Sequence, residues 1–214
     1  MREADNLREV AALGVDYIGL IFWPKSPRYV DSTHYAPLDI PASTCQPSPS
    51  YVGVFVNPTA QDVITSVVNY HLDVVQLHGH ETPTLIRNLR RTLPHVKFWK
   101  AISVDCPDSV SSYIPYADCV DAFVFDTKCK TVGGSGEHFD WNVLQAYDGE
   151  RPYLLSGGIG ADDAPRLRDF FQKNSGTIAK KCIGIDLNSR FEMAPALKDV
   201  DLIRHFLSEI NYKS

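Results

Sequence analysis

Two glycine-marked turns near the C-terminal end of the chain have residue types that can bind phosphate. They are residues 155–159 (LSGGI) and residues 184–189 (GIDLNS). Each follows a short apolar run and precedes a helical pattern. Glycine has no Cβ, so its backbone N–H can approach an anion closely, and a helix N-terminus adds partial positive charge. Either turn alone is more often an ordinary tight βα connection. Two in succession, after the last two strands of a βα series, predict a phosphate site, because barrels usually bind phosphate there.

The composition predicts one domain and argues against several classes of partner. The chain has 214 residues, of which 44% are hydrophobic and 22% are charged, enough for a single core over residues 1–214. A net charge of −5 argues against a nucleic-acid partner. The five cysteines include no Cys-x-x-Cys pair, so we predict neither disulfides nor a zinc site. We find no signal peptide and no apolar run long enough for a membrane, and therefore expect a cytoplasmic protein without a membrane partner.

Apolar runs rich in β-branched and aromatic residues alternate with amphipathic stretches, which is typical of βαβ units around a parallel sheet. Seven strands are predicted, at residues 17–22, 51–56, 73–77, 97–102, 122–125, 153–155 and 183–186. Helical patterns cover residues 4–13, 59–70, 82–91, 108–113, 141–145, 162–173 and 199–210, with Gly14 as a cap after the first. This α/β pattern favours a TIM (β/α)8 barrel over an open sheet. Such a barrel has eight strands and the sequence opens on a helix, so strand 1 is predicted to be missing.

Several stretches, in this order and spacing, resemble the phosphoribosylanthranilate isomerase family of tryptophan biosynthesis over essentially the whole chain. They are residues 12–22 and 24–30 (PKSPRYV), 52–57 (VGVFVN), 75–79 (VQLHG), 125–127 (FDT), 133–136 (GGSG), 139–141 (FDW), 155–159 and 184–189, followed by Glu192 and residues 198–199. The resemblance implies a (β/α)8 barrel of the ribulose-phosphate-binding type. It also implies an Amadori rearrangement of a small phosphorylated substrate, N-(5-phosphoribosyl)anthranilate, without a metal or organic cofactor.

That reaction needs an acid to protonate the ribose ring oxygen and a base to remove the C2 proton. In the family the acid is an aspartate at the end of the sixth strand, and Asp126 matches it. Asp126 also follows an apolar run, which would place it at the catalytic, C-terminal end of a barrel strand. Arg28 matches the family arginine that holds the anthranilate carboxylate, for which a guanidinium fork is suited. From the residues alone, Asp126 is equally typical of a loop cap, and a lone loop arginine such as Arg28 is more often a solvated surface charge.

The resemblance also carries substrate binding over to the two turns. Its phosphate-binding residues here are Gly157, Gly158, Asp186, Asn188 and Ser189. Asp186 is expected to orient its loop rather than to touch the anion. Asn188 stands where the family has serine and still offers an N–H donor. Arg190 stands where the family has glycine and adds a cation that can assist.

Gln76 and His78 end the predicted strand 73–77 and are expected to line the pocket floor or to position the aromatic ring. His78 and His80 have no third ligand at a telling spacing, so no metal site is predicted. The stretch 130–138 contains three glycines and is typical both of a flexible cover over the site and of an exposed turn.

The main departure from the family is at the start of the chain. In the family the first strand ends in a Cys-Gly pair whose cysteine is the general base, and here that pair is absent; Cys129, in the loop after Asp126, is the nearest substitute. One interpretation is an isomerase that begins at an internal methionine, binds its ligand and is impaired in turnover. The alternative is a non-catalytic ligand-binding or interaction protein on the same barrel. In either case, the missing strand predicts self-association through the gap it leaves.

Overall fold

The structure, a computed structural model, describes residues 1–31, 48–127, 140–176 and 178–210. It divides into two compact units. Unit 1 comprises Met1–Trp99 and Glu192–Arg204, and unit 2 comprises Lys100–Phe191 and His205–Ser214. Cys129 and the cover predicted at residues 130–138 lie outside the described residues. Within the described ranges, no helix has both the length and the apolar character needed to cross a membrane.

Helices and parallel strands alternate along most of the chain. The helices are α1 (Ala4–Ala11), α2 (Ala60–Tyr70), α3 (Pro83–Thr92), α4 (Pro107–Val110), α5 (Ala164–Lys173) and α6 (Val200–Ile210). The strands are β1 (Tyr17–Ile21), β2 (Ser50–Phe55), β3 (Val74–Leu77), β4 (Lys97–Val104), β5 (Ala122–Thr127), β6 (Tyr153–Ser156), β7 (Cys182–Ile185), β8 (Glu192–Ala194) and β9 (Leu197–Lys198). Short 3-10 turns occupy Ser111–Tyr116, Trp141–Ala146, Ala161–Asp163, Ile178–Lys181 and Ser189–Phe191.

The strand order of the main sheet follows the sequence, from β1 to β7. In unit 1, β2 pairs in parallel with both β1 and β3. In unit 2, β6 pairs in parallel with both β5 and β7. The seven predicted strands are therefore confirmed. The predicted helix at residues 141–145 is a 3-10 turn instead, and the one at 108–113 is split between α4 and a 3-10 turn.

Unit 1 holds the loops after β2 and β3 in place through the caps of the helices that follow. The Asp62 N–H donates to Thr59 Oγ1 over 3.2 Å, and the Thr59 N–H donates back to the Asp62 carboxylate over 3.0 Å, so α2 begins with a capping box. At the start of α3, Thr82 Oγ1 accepts from the Leu85 N–H at 3.2 Å, and Pro83 occupies the first turn. Both loops are therefore short and fixed at each end.

Unit 2 is built around five packed aromatic rings. They belong to Tyr113, Phe123, Phe125, Tyr147 and Tyr153, all buried, and the closest ring centroids, those of Tyr113 and Tyr147, are 4.7 Å apart. Phe125 packs edge-on against Tyr147 at 5.0 Å. Since side chains alternate along a strand, the ring of Phe125 and the carboxyl group of Asp126 face opposite sides of β5. The aromatic core thus fixes the strand that carries the predicted acid.

The antiparallel hairpin of β8 and β9 belongs to unit 1 and was not predicted from the sequence. Its strands have three and two residues, too few for an alternating pattern to show. Ala196, in the turn between them, has a φ of 72°, which an L-residue rarely adopts. The hairpin matters because it carries Glu192 and Lys198.

Candidate active site

Asp126 lies near the C-terminal end of β5 in unit 2 and is half-buried. The strand extends two residues beyond the predicted end at Phe125, so Asp126 is part of the ladder, opposite Ser156 of β6. Next to it, Thr127 Oγ1 donates to the carbonyl groups of Ser156 and Gly157, at 2.8 and 3.2 Å. These bonds tie the end of β5 to residues 156–160, which we call the glycine turn.

The glycine turn presents two adjacent backbone N–H groups in a conformation that favours glycine. The φ angles of Gly157 and Gly158 are 98° and 64°. A Cβ on Gly157 would lie 2.1 Å from the carbonyl oxygen of Thr127, whereas a Cβ on Gly158 would meet nothing within 4 Å. Within the described part of the chain, neither N–H donates to a protein acceptor. Adjacent N–H groups of this kind bind anions.

Residues 186–191, which we call the β7 loop, follow the neighbouring strand and are joined to the glycine turn. The Asp186 N–H donates to the carbonyl oxygen of Leu155 at 2.8 Å, and its carboxylate accepts from Ser156 Oγ at 2.9 Å. Asn188 and Ser189 are exposed, while Phe191 is fully buried and stacks edge-on with Phe206 at 5.1 Å. The loop is thus anchored at both ends and displays Asn188 and Ser189 at the surface.

We expect the two glycines to respond very differently to alanine. Gly158→Ala should lower the free energy of unfolding by about 1–2 kcal/mol, the cost of a left-handed L-residue. Gly157→Ala should lower it by about 3 kcal/mol or more, because the new Cβ also meets the Thr127 backbone. Urea unfolding of both variants measures the difference. Equal losses would show that Thr127 yields to the added methyl group.

In unit 1, Arg28 makes a two-pronged ion pair with Glu192. The Arg28 Nε–H lies 2.8 Å from Glu192 Oε2, and Nη2 donates to the same oxygen at 2.6 Å. Fractional exposure is 21% for the Arg28 side chain and 4% for that of Glu192. The loop that carries Arg28 is held by the Val30 N–H, which donates to the carbonyl oxygen of Ile21 at 2.8 Å. The Arg28 guanidinium is therefore fixed in position, and its Nε and Nη2 edge is occupied by Glu192.

Lys198 completes what we call the Arg28 cluster, which comprises Arg28, Glu192 and Lys198. The buried Lys198 ammonium lies 3.3 Å from Glu192 Oε1. Its backbone exchanges two hydrogen bonds with the buried Asn6 amide, at 2.8 and 2.9 Å. Two cations thus contact one carboxylate, and the N–H donors of Arg28 that Glu192 does not use are suited to an anionic ligand.

The cluster also fixes the charge of Glu192. Burial by itself would raise the pKa of this carboxyl group, but the hydrogen bonds from Arg28 and the charge of Lys198 outweigh burial and hold the pKa below its ordinary 4.5. A carboxylate with a lowered folded-state pKa stabilises the fold above its unfolded-state pKa, and this contribution is lost as the pH falls through the folded value.

Glu192→Gln should therefore lower the free energy of unfolding at pH 7 by about 3–5 kcal/mol, since it removes the carboxylate that contacts both the Arg28 guanidinium and the Lys198 ammonium. The difference from wild type should shrink once the pH falls below about 4.5, the ordinary pKa of the group. Chemical unfolding at a series of pH values measures both effects. Glu209→Gln is the control, because Glu209 is half-exposed and its 3.7 Å pair with Arg168 is a surface contact. A pH-independent loss would exclude Glu192 as the titrating group.

Gln76 and His78 lie at the C-terminal end of β3. Gln76 is buried within the strand, and His78 follows it, half-buried, with its N–H donating to the carbonyl oxygen of Phe55 at 2.8 Å. Because β2 and β3 run parallel, Gln76 and His78 lie at the same edge of the sheet as residue 57, which follows β2.

The loop after His78 is fixed by two residues that sequence analysis did not single out. The buried Glu81 carboxylate accepts from the N–H groups of Asn57 and Gly79, at 2.9 and 3.0 Å. Asn57 Oδ1 accepts in turn from the His80 N–H at 2.7 Å. A Cβ on Gly79 would lie 2.5 Å from Asn57 Oδ1, so glycine permits this close approach. In the described ranges, no group of three or more His, Cys, Asp or Glu has the arrangement of a metal site.

A sequential order of seven parallel strands, with Asp126 and the glycine turn at the C-terminal ends of β5 and β6, is typical of the class of TIM-type βα proteins. The comparisons with known proteins narrow this class to one family. The family model for N-(5'-phosphoribosyl)anthranilate (PRA) isomerase matches residues 1–209. The chain belongs to this family, and the resemblance found in the sequence is confirmed.

Relatives and solved structures agree with the family match. The N-(5'-phosphoribosyl)anthranilate isomerase of Parabacteroides distasonis is 40% identical over 98% of this chain and 90% of its own. That of Phocaeicola vulgatus is 37% identical over 100% of this chain and 96% of its own. The crystal structure of phosphoribosyl anthranilate isomerase from Thermotoga maritima is 26% identical, with a TM-score of 0.76 over 98% of this chain and 95% of that one.

A further crystal structure, of phosphoribosyl anthranilate isomerase in complex with reduced 1-(o-carboxyphenylamino)-1-deoxyribulose 5-phosphate, superimposes with a TM-score of 0.78 over 98% of this chain and 94% of that one. At 24% identity it supports the fold alone. The predicted TIM-type α/β fold is thus confirmed at the level of seven parallel strands.

Proposed function

We propose that this protein is an N-(5'-phosphoribosyl)anthranilate isomerase of tryptophan biosynthesis, which converts its substrate into 1-(2-carboxyphenylamino)-1-deoxyribulose 5-phosphate. The family match over residues 1–209 carries this proposal. The relatives that bear this name cover nearly the whole chain at 37–40% identity. The substrate has a phosphate, a carboxylate and a ring oxygen that must be protonated, and the described residues offer a group for each.

Asp126 is the proposed general acid. Protonation of the ribose ring oxygen breaks its bond to C1 and gives a Schiff base; loss of the C2 proton to a base then gives an enolamine, which tautomerises to the ketone. Asp126 lies near the C-terminal end of β5, which is where barrel enzymes carry their catalytic groups. The chemistry needs no metal, and we propose none.

The anionic ends of the substrate are assigned by charge. We assign the phosphate to the N–H groups of Gly157 and Gly158 and to Asn188 and Ser189, with Asp186 as the residue that orients the β7 loop. We assign the carboxylate to Arg28, because the guanidinium keeps N–H donors that Glu192 does not use. Gln76 and His78 are assigned to the substrate's aromatic part.

The general base is the catalytic group of the family that has no match in the sequence. No cysteine of the sequence is followed by glycine, so the family's Cys-Gly pair is absent from it. Cys182 begins β7 rather than ending it, and its thiol donates to the carbonyl oxygen of Gly184. Burial raises the pKa of this thiol, which disfavours the thiolate form. We therefore propose that the chain binds the substrate and turns it over slowly. The second candidate is a non-catalytic ligand-binding protein on the same fold, which needs no base.

Two measurements separate these candidates. Calorimetry with the reduced compound named above should show binding to the chain as it stands. Loss of N-(5-phosphoribosyl)anthranilate should then be followed for this chain and for a form extended by a strand that ends in Cys-Gly. We expect turnover to rise strongly in the extended form. Binding without turnover in both forms would favour the non-catalytic protein, and no binding in either would overturn the proposal.

The finer fold assignment is also a proposal: a single (β/α) barrel domain of the ribulose-phosphate-binding type, of whose strands the described residues contain seven. β1 and β7 end the strand order, and Ile183 of β7 is 50% exposed. Strand edges of this kind pair with other chains. We therefore expect self-association, which light scattering at rising protein concentration measures, and which the added strand should suppress. A cytoplasmic location fits a biosynthetic isomerase.

A further inference from the structure

Arg190 connects the β7 loop to the glycine turn. It is exposed in the 3-10 turn after β7, and its Nη1 donates to the carbonyl oxygen of Gly158 at 2.9 Å. The guanidinium lies against Gly160, where a Cβ would be 2.8 Å from Arg190 Nε and 3.0 Å from Cζ. The side chain thus leaves its own loop and lies along the neighbouring glycine turn, to which Gly157 and Gly158 belong.

The charges around these two loops make this cation significant. The Asp186 carboxylate accepts from Ser156 Oγ, and Asp162 is exposed just beyond the glycine turn. Asp163 is buried and paired with Arg166, and it also accepts from the Gly160 N–H at 2.8 Å. With Asp163 and Arg166 neutralising each other, Asp186 and Asp162 would repel a phosphate unless a cation offsets them. Arg190 is placed to do so.

Arg190 also has donors to spare. A guanidinium has five N–H donors, and the bond to Gly158 uses one of them. In the described part of the chain, the other four have no protein acceptor. Planar, paired N–H groups suit the oxygens of a phosphate.

We propose that Arg190 is a phosphate-binding residue, which adds a permanent positive charge to the neutral N–H groups of Gly157 and Gly158 and the polar side chains of Asn188 and Ser189. The inference rests on the proposed function, which supplies a phosphorylated substrate. Arg190 is therefore a specificity residue that favours the dianionic phosphate over uncharged groups of the same size.

The test compares phosphate affinity in Arg190→Gln and Arg190→Lys. With inorganic phosphate as the probe at low salt, Arg190→Gln should bind about tenfold more weakly, as expected for one charge-assisted hydrogen bond at an exposed site. Arg190→Lys keeps the charge and should stay within about threefold of wild type. The deficit of the glutamine variant should shrink at high salt, because ions screen exposed charges. Circular dichroism checks that both variants are folded, as expected at an exposed position.

Arg151→Gln is the matched control. Arg151 is also exposed in unit 2 and also donates to a backbone carbonyl, that of Ala117, but it precedes β6 whereas the glycine turn follows it. Its replacement should leave phosphate affinity unchanged. Unchanged phosphate affinity in Arg190→Gln would overturn the proposal. Equal, salt-independent losses of affinity in both Arg190 variants would also overturn it, because they would show that Arg190 only holds the two loops together. Failure of the proposed function gives a different result, in which the wild-type protein does not bind the reduced carboxyphenylamino compound.

Discussion

Asp126→Asn is expected to lower kcat by ~10² to 10⁴, the usual contribution of general acid catalysis, because ring opening precedes every later step. Substrate affinity should change little, since asparagine has nearly the same shape and Asp126 is proposed to act on the ring oxygen rather than on an anionic end. The measurement is steady-state kinetics in the form extended by a strand ending in Cys-Gly, where the base is present.

Asp121→Asn is the control for this prediction. Asp121 precedes β5 at its N-terminal end, and in barrels that end contributes to stability rather than to catalysis. Its replacement should leave kcat near the wild-type value. If Asp126→Asn kept more than about a tenth of kcat, Asp126 would not be the acid.

The second large effect is expected from Arg28→Ala. Removing the guanidinium should weaken binding of the reduced carboxyphenylamino compound by about 1.5–3 kcal/mol, the range for hydrogen bonds to charged groups. Binding of inorganic phosphate, assigned to the glycine turn and the β7 loop, should be nearly unchanged. Calorimetry with both ligands gives the comparison.

Two further variants refine the Arg28 experiment. Arg28→Lys keeps the charge but loses the fork, and should recover only part of the affinity. Arg8→Ala removes another arginine of unit 1, whose ion pair with Asp5 is exposed, and should have no effect on either ligand. Equal losses for both ligands in Arg28→Ala would show that Arg28 does not recognise the carboxylate.

The sequence predicts the main strands and helices well because their signals are local. The apolar run before Asp126 and the Thr59 and Thr82 caps lie within a few residues of the elements they specify. The ends of these elements are predicted less well. β5 continues through Thr127 because the pairing of Asp126 with Ser156 extends the ladder, and that pairing is not a local property of the sequence.

The candidate site depends on contacts that no local pattern contains. Glu192 is 164 positions from Arg28, and Lys198 is 192 positions from Asn6, so neither partner can be identified from spacing. Gly157 and Gly158 look alike in the sequence, yet only Gly157 lies against the Thr127 backbone. Glu81 likewise reads as an ordinary charged residue before α3, although it is buried and fixes the His78 loop.

The division of unit 1 into two sequence segments determines when it can fold. Its first segment ends at Trp99, and its second, with Glu192 and Lys198, begins only after nearly all of unit 2 has been translated. During synthesis, Arg28 and Asn6 are made long before their partners Glu192 and Lys198. The hydrogen bonds of Thr127 to Ser156 and Gly157 instead join segments that are synthesised close together in time. The Arg28 cluster should therefore be completed late. A chain stopped before the β8–β9 hairpin should leave Arg28 without Glu192 and be more accessible to chaperones and proteases.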